Sequence, residues 1–283
     1  MTALVPPLRS QLGLRGFARC LNGITRRELL RFVSQKERFL SALVRPLIWL
    51  FIFAAGFRNV LGVSIQPPYE TYVLYEDYVT PGLAVMIQLF YGMQSSLSMV
   101  YDREVGSMRV LLTSPFPRWS LLLAKLLASV MVSVAQVYVF LGIAYLWGVE
   151  ANPAGYLLAL PALILTGLML GSIGLFLSSL VRQLENFASV MNFVIFPMFF
   201  ASSALYPLWR IRQASEPLYV LCLLNPFTHA VELVRFALYG AFSPVALVVV
   251  GATTLVFFAA AALAYDPGRG LMVRRGGPRG EAS

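Results

Sequence analysis

Charge is the scarcest property of this sequence. Only 12% of the 283 residues are charged, 58% are hydrophobic, and the mean hydropathy is +0.73. Ordinary soluble domains carry about 25% charged residues. A chain with so few charges has too little polar surface to cover a globule in water. The composition therefore excludes a soluble domain and indicates an all-α protein that crosses a membrane several times.

Residues for nucleotide and metal chemistry are also scarce. Neither Lys36 nor Lys125 follows the glycines of a GxxxxGK[ST] phosphate loop, so this chain cannot build that site. His229 is the only histidine and has no cysteine or acidic cluster around it, so no metal site is expected. Cys20 and Cys222 are expected on opposite sides of the membrane and therefore do not pair.

Six apolar runs are long enough to cross the hydrocarbon core, which takes about 20 helical residues. Arg45 and Pro46 weaken the start of the first run and suit the membrane interface. Pro197 predicts a kink in the fifth run. A count of five or seven stays open. The six predicted spans are Ala42–Gly62, Thr80–Val100, Trp119–Trp147, Tyr156–Leu180, Phe187–Leu208 and Ser243–Tyr265.

Lysine and arginine predict the orientation. By this span plan, 18 of the 22 lysines and arginines lie on one side of the membrane: in the amino-terminal segment, the connections between spans 2 and 3 and between spans 4 and 5, and the tail. Lysine and arginine favour the cytoplasmic side. Both termini are therefore expected to be cytoplasmic, with a segment 1–41, a transmembrane domain 42–265 and a disordered basic tail 266–283. The net charge of +9 requires no nucleic acid, because topology and membrane lipid head groups explain it.

An amphipathic helix is predicted ahead of the first span. The run Thr25–Glu28 matches a capping box, which satisfies free amides at a helix start. Arg27, Arg31 and Arg38 then share the polar face of a helix lying in the cytoplasmic head-group plane. Two interpretations fit: a positively charged anchor, or an elbow helix that moves with an attached partner.

The segment 101–118, between the second and third spans, is charged and patterned as a helix. Asp102 and Glu104 lie in its first turn, where carboxylates suit the positive end of the helix dipole. Pro115 and Pro117 end the pattern. It is either a docking element for a partner outside the membrane or an interfacial helix joining two spans. The predicted apolar stripe is Val105, Met108, Leu111 and Leu112.

Polar side chains inside the spans are few. Gln88 and Asn192 lie near aromatic residues, which for Asn192 include Phe196, Phe199 and Phe200. Such spans could line a path for an amphipathic or lipid-like substrate. Alternatively, each polar group bonds to a neighbouring helix.

Two further patterns predict packing. A strip of Gly167, Gly171 and Gly174 on the fourth span is typical of close helix contact. On the outer side, acidic residues beside a row of tyrosines predict an interfacial connector with an aromatic belt. The tyrosines are Tyr69, Tyr72, Tyr75 and Tyr78, and the acidic residues are Glu70, Glu76 and Asp77.

The region 203–240 is predicted to form a re-entrant or surface-lying cap on the outer side. Asn225 suits a helix N-cap, Pro226 the first helical position and Gly240 the stop. Glu232 and Arg235 can pair at i, i+3. His229 is expected to make a hydrogen bond at the helix surface. The predicted apolar stripe is Phe227, Val231, Val234 and Leu238.

Two motifs together resemble bacterial type-2 ABC exporter permeases. The first is DREVGSMRVLLTSP at 102–115, followed by Pro117-Arg118 and Lys125. The second is FPMFFASSALYP at 196–207, with LNPFTHAVE at 224–232 and Arg235 downstream. The family commonly shows FPxxFxSGxxFP and LNPxTYxVxxxR at similar spacing. This chain differs from it at Ser203, Tyr206 and His229.

The resemblance implies a transport subunit, not an enzyme, in a bacterial plasma membrane. It implies pairing with a second copy or a sister permease, and with ATP-binding cassette subunits that bind ATP and Mg²⁺, so this chain holds no cofactor. The loop would be the coupling helix, with Glu104 relaying motion and Arg27 or Arg31 as its charge partner. The coupling residues are Asp102, Arg103, Glu104, Val105, Gly106, Met108, Arg109, Leu112 and Pro115.

Two other function classes would need residue patterns of a different kind. A secondary carrier or channel needs intramembrane acidic pairs or repeated spans, and a lipid-modifying enzyme needs clustered acid–base or metal residues. Neither pattern is visible in the sequence. ABC export of a hydrophobic, lipid-linked or glycan-type cargo is therefore the favoured interpretation.

Overall fold

The computed structural model describes residues 18, 22–23, 25–27, 30, 36–57, 68–69, 73–104, 118–149, 152–181 and 183–264. Arg31, the coupling residues from Val105 to Pro115, Cys20 and the tail 266–283 lie outside them. The elements of the described part are α1 (Lys36–Phe57), α2 (Tyr75–Glu104), α3 (Arg118–Leu146), α4 (Pro153–Leu180), α5 (Leu184–Phe200), α6 (Leu208–Ala214), α7 (Glu216–Leu224), α8 (Pro226–Leu238) and α9 (Pro244–Ala264).

Four of these helices contain an apolar stretch long enough to cross a bilayer: α2, α3, α4 and α9. The pair α7 and α8, bent by 74° at Asn225, counts as a fifth if it is one broken span. Apolar stretches in α1 and α5 are shorter. The protein is therefore an all-helical, multi-pass membrane protein with four to five span-capable helices in the described part.

Several helix boundaries differ from the predicted spans, two of them by six residues or more. Helix α1 begins at Lys36, ahead of the predicted Ala42, so Arg38 belongs to the same helix as the first apolar run. Helix α5 ends at Phe200 instead of continuing to Leu208. Its 17 residues extend about 25 Å, less than the roughly 30 Å hydrocarbon core. The helix can stop there because the Asn225 side chain donates to carbonyls at its end.

Helix α4 lies at the centre of the bundle, against α2, α3, α8 and α9. A Cβ atom on Gly174 would lie 2.6 Å from the Ser96 hydroxyl and 2.9 Å from the Gly92 carbonyl oxygen. A Cβ atom on Gly171 would lie 2.5 Å from a methyl group of Leu126. The predicted role of this glycine strip in helix packing is confirmed, since only glycine lets the backbones approach so closely.

One end of the bundle gathers the start of α2, the end of α3, the start of α4 and the end of α8. Asp77, Ala144, Tyr156 and Leu238, one from each, line a single small cavity there. Segments far apart in sequence thus meet at this end, and the candidate site lies beside it.

Candidate functional site at the Arg235 cluster

Arg235 is a buried cation near the carboxyl end of α8, with only 5% of its surface exposed. Its Nη2 donates to the Ser203 carbonyl at 2.8 Å and to the Tyr78 carbonyl at 3.4 Å. The guanidinium carbon also lies 4.0 Å from the centre of the Tyr78 ring. A cation over an aromatic face is attracted by the ring quadrupole. Arg235 therefore joins α8 to α2 and to the turn after α5.

Tyrosines surround this arginine. The Tyr78 hydroxyl donates to the Ser203 carbonyl at 3.0 Å, and the Tyr75 hydroxyl donates to the Leu205 carbonyl at 2.7 Å. The Tyr69 ring lies 4.6 Å from that of Tyr239 and 6.2 Å from that of Tyr78. Burial raises the pKa of the Tyr69 hydroxyl. The phenol is therefore neutral at physiological pH and adds no charge next to Arg235.

The predicted interfacial belt is wrong for Tyr69, Tyr75 and Tyr78, which are all buried. Glu76 and Asp77 belong to the first turn of α2, because the helix begins at Tyr75 and not at Thr80. Alternation of tyrosines and acidic residues indicated amphipathic character. It could not reveal that the turn after α5 covers this face.

The predicted Glu232–Arg235 ion pair is also wrong. Arg235 points away from the surface of α8, toward the carbonyls of α2 and the 201–207 turn. Glu232 lies 3.8 Å from His229 Nδ1 instead. The other ring nitrogen of His229 lies 2.9 Å from the Leu223 carbonyl, which confirms the predicted hydrogen bond at the helix surface.

The predicted ends of α8 are confirmed. The Asn225 side chain accepts from the Phe227 amide at 3.0 Å, and Pro226 takes the first helical position. Gly240 has φ +72°, a left-handed conformation that glycine adopts without strain. Amides of Gly240 and Ala241 bond back to Ala237 and Phe236, as in a Schellman motif. The predicted apolar stripe of α8 is fully buried.

Asn225 has a second role that its position in sequence did not reveal. Its Nδ2 donates to the Met198 carbonyl at 2.8 Å and to the Ala201 carbonyl at 2.6 Å. Helix ends leave unpaired carbonyls, which are costly away from water. One amide side chain thus caps the start of α8 and satisfies the end of α5. This explains how α5 can stop at Phe200.

We expect Asn225→Asp to lower the free energy of unfolding by about 1–2 kcal/mol, since aspartate keeps the cap acceptor but loses both donated bonds. The matched control is Asn152→Asp. Asn152 also precedes a proline and accepts from the Ala154 amide at 3.1 Å, but it is exposed. That change should be neutral, as acidic residues suit helix starts. Denaturant titration in detergent measures both, and equal effects would contradict the second role of Asn225.

The proposed substrate-path residues separate into two groups. Gln88 is buried: its Nε2 donates to the Leu163 carbonyl at 2.7 Å, and its Oε1 accepts from Thr166 at 2.6 Å. This is the interhelical bond given above as the alternative. On α5, Asn192, Phe196 and Phe200 are exposed, whereas Phe199 is buried.

The coupling and elbow residues are only partly described. Asp102, Arg103 and Glu104 form the last turn of α2, which continues without a break from the apolar stretch. Arg27 is helical. The remaining coupling residues fall outside the described part.

Comparison with known proteins identifies the family. Residues 20–239 match the family model described as ABC-2 type transporter. The chain is 26% identical over 213 residues to "Putative transport permease ycf38" of Cyanophora paradoxa, covering 72% of this chain and 70% of the relative. It is 29% identical over 164 residues to "Probable multidrug ABC transporter permease YbhR" of Escherichia coli (strain K12), covering 57% and 43%.

A third relative matches over a shorter region. "Nodulation protein J" of Rhizobium leguminosarum bv. viciae is 29% identical over 99 residues, which cover 33% of this chain and 37% of the relative. The family match extends over well more than half of the chain. This chain therefore belongs to the ABC-2 type transporter family and is a membrane transport permease, not an enzyme.

Proposed function

We propose that this chain is the transmembrane subunit of an ATP-driven exporter in a bacterial plasma membrane. ATP and Mg²⁺ are bound by a separate ATPase chain, which docks on the segment 101–118. The cargo is hydrophobic, lipid-linked or glycan-type. Nucleotide-driven closure of the ATPase shifts the permease between two arrangements of its helices.

The observation that carries this proposal is the continuity of α2. The helix runs from Tyr75 through the apolar stretch to Asp102–Glu104, so the first docking residues are rigidly connected to a span. A displacement of the docking segment is therefore transmitted along the helix axis to the outer end. There Tyr78 of the same helix contacts Arg235.

The proposed orientation places the Arg235 cluster on the outer side and both termini in the cytoplasm. In this arrangement α1 and α5 also cross the bilayer, giving six spans. Helices α7 and α8 form a re-entrant cap. Support for the cap comes from Phe227 at the start of α8, whose ring lies 6.1 Å from that of Phe199. Leu238 at the other end of α8 meets the start of α4.

A second copy or sister permease is proposed to cover the exposed face of α1 and α5. Val44 and Ile48 on α1 are exposed, as are Phe193 and Phe196 on α5. The same α5 face carries the exposed amide of Asn192, and polar groups in spans bond to other helices. Helix α9 is exposed too, but its outward residues are aliphatic and suit lipid.

The docking proposal predicts the effect of a charge in the apolar stripe. Met108→Asp should release the ATPase subunit, because a carboxylate cannot be buried unpaired in an apolar cleft. The tagged full-length chain is purified from the membranes of its native host, and Mg²⁺-dependent ATP hydrolysis in the eluate is measured. We expect at least a tenfold loss relative to the unmodified chain.

The control is Met272→Asp, which introduces the same charge in the basic tail on the same proposed side. It should leave co-purified hydrolysis unchanged. Retained hydrolysis with Met108→Asp would refute docking at this segment. Absence of hydrolysis with the unmodified chain would refute the ATP-driven assignment itself.

A further inference from the structure

Arg45 lines a cavity of about 130 Å³ between α1 and α2, roughly ten times the space that one water molecule needs. Its guanidinium carbon lies 4.2 Å from the centre of the Phe90 ring. Met86 and Ile87 form a buried apolar wall, and Gln94 supplies an exposed amide. The cavity therefore combines a cation, an amide and a hydrocarbon wall.

Arg45 is exposed and lies beside the apolar stretch of α2. Phe90 lies near the middle of the apolar stretch Tyr75–Tyr101. Roughly 16 Å of helix separate Phe90 from Tyr101, at about 1.5 Å per residue. Charged side chains beside an apolar stretch face cavities or reach toward the level of the lipid head groups, where they pair with another group.

The side chains that line this cavity supply no neutralising charge for Arg45. None of the residues that line the cavity is acidic. Asp102 and Glu104 of α2 begin roughly 18 Å farther along the helix than Phe90, beyond ion-pair reach. The Phe90 ring attracts the cation but carries no neutralising charge.

We infer that this cavity binds the phosphate head group of an anionic membrane phospholipid. Guanidinium forks match phosphate oxygens in a bidentate manner, and the Gln94 amide can donate an additional bond. The acyl chains lie along Met86, Ile87 and the surrounding bilayer. The inference requires only that the helices cross a bilayer. Retained hydrolysis with Met108→Asp, which would refute ATPase docking at the segment 101–118, would leave it standing.

Trp49 provides a reporter, because it lies one helical turn from Arg45 on the same face of α1. The full chain, with Trp119→Phe, Trp147→Phe and Trp209→Phe, is reconstituted in phosphatidylcholine nanodiscs. Quenching of Trp49 fluorescence is titrated with phosphatidylglycerol brominated on its acyl chains, and with phosphatidylcholine brominated identically. We expect at least a threefold preference for phosphatidylglycerol.

Two variants and a control test the assignment. Arg45→Gln removes the cation, and Gln94→Glu supplies an internal carboxylate while keeping side-chain size. Both should reduce the preference to about one. Arg212→Gln, at an exposed arginine paired with Glu216 at 3.6 Å, should retain it.

Three results would overturn the inference. One is an unchanged preference in Gln94→Glu, a variant that retains every lining side chain except Gln94. Another is an equal loss of preference in Arg212→Gln. The third is loss of preference in the parent on adding excess inorganic phosphate, since this would identify a site for a bare anion and not for a lipid.

Discussion

Replacing Arg235 with methionine is expected to lower the free energy of unfolding by about 3 kcal/mol. The change removes the donor to the Ser203 carbonyl at 2.8 Å and the cation above the Tyr78 ring. Hydrogen bonds from charged groups contribute about 1.5–3 kcal/mol, and a desolvated cation–π contact about 2 kcal/mol. Relief of the cost of burying a charge offsets part of this sum.

Arg235→Lys should lose less, about half as much, because it keeps the charge but lacks the planar guanidinium that stacks on the Tyr78 ring. Arg210→Met is the matched control. Arg210 also stacks on an aromatic ring, at 5.3 Å from Trp209, but it is exposed. Its replacement should change stability by no more than about 0.5 kcal/mol.

Thermal and denaturant unfolding in detergent measure all three variants. Unchanged or increased stability in Arg235→Met would show that the buried arginine does not hold α8 against α2. In that case burying Arg235 would lower the stability of the fold, and other interactions would offset the loss.

Local signals in the sequence predicted local structure well. Asn225, Pro226 and Gly240 identified both ends of α8 because capping depends on residues within a few positions. The glycine strip of α4 predicted close packing for the same kind of reason, since the absence of a side chain is visible in the sequence itself.

Contacts between distant segments could not be predicted in this way. The i, i+3 spacing of Glu232 and Arg235 favoured a surface ion pair, but the partners of Arg235 are backbone carbonyls, which carry no sequence signature. The sequence indicated that Asn225 is an N-cap, a role played by its side-chain oxygen. Its side-chain nitrogen also donates to carbonyls at the end of α5, which the sequence did not indicate. The contact of Arg45 with Phe90 likewise depends on how α1 packs against α2.

The close approach of α4 to the end of α8 predicts the second large effect. Gly155 lies in the first turn of α4, and a Cβ atom there would overlap the Leu238 carbonyl oxygen. Because the obstacle is backbone and not a flexible side chain, α8 must move away. We expect Gly155→Ala to lower the free energy of unfolding by about 3 kcal/mol, at the upper end of overpacking effects.

Gly142→Ala on α3 is the matched control, since a Cβ atom there meets nothing within 4 Å. Alanine favours a helix over glycine, so this variant should gain up to about 1 kcal/mol. The two glycine-to-alanine changes are thus expected to have opposite signs in the same unfolding titration. If Gly155→Ala also gained stability, α8 would not lie against the start of α4, and Arg235 would lose the support that holds it against Tyr78.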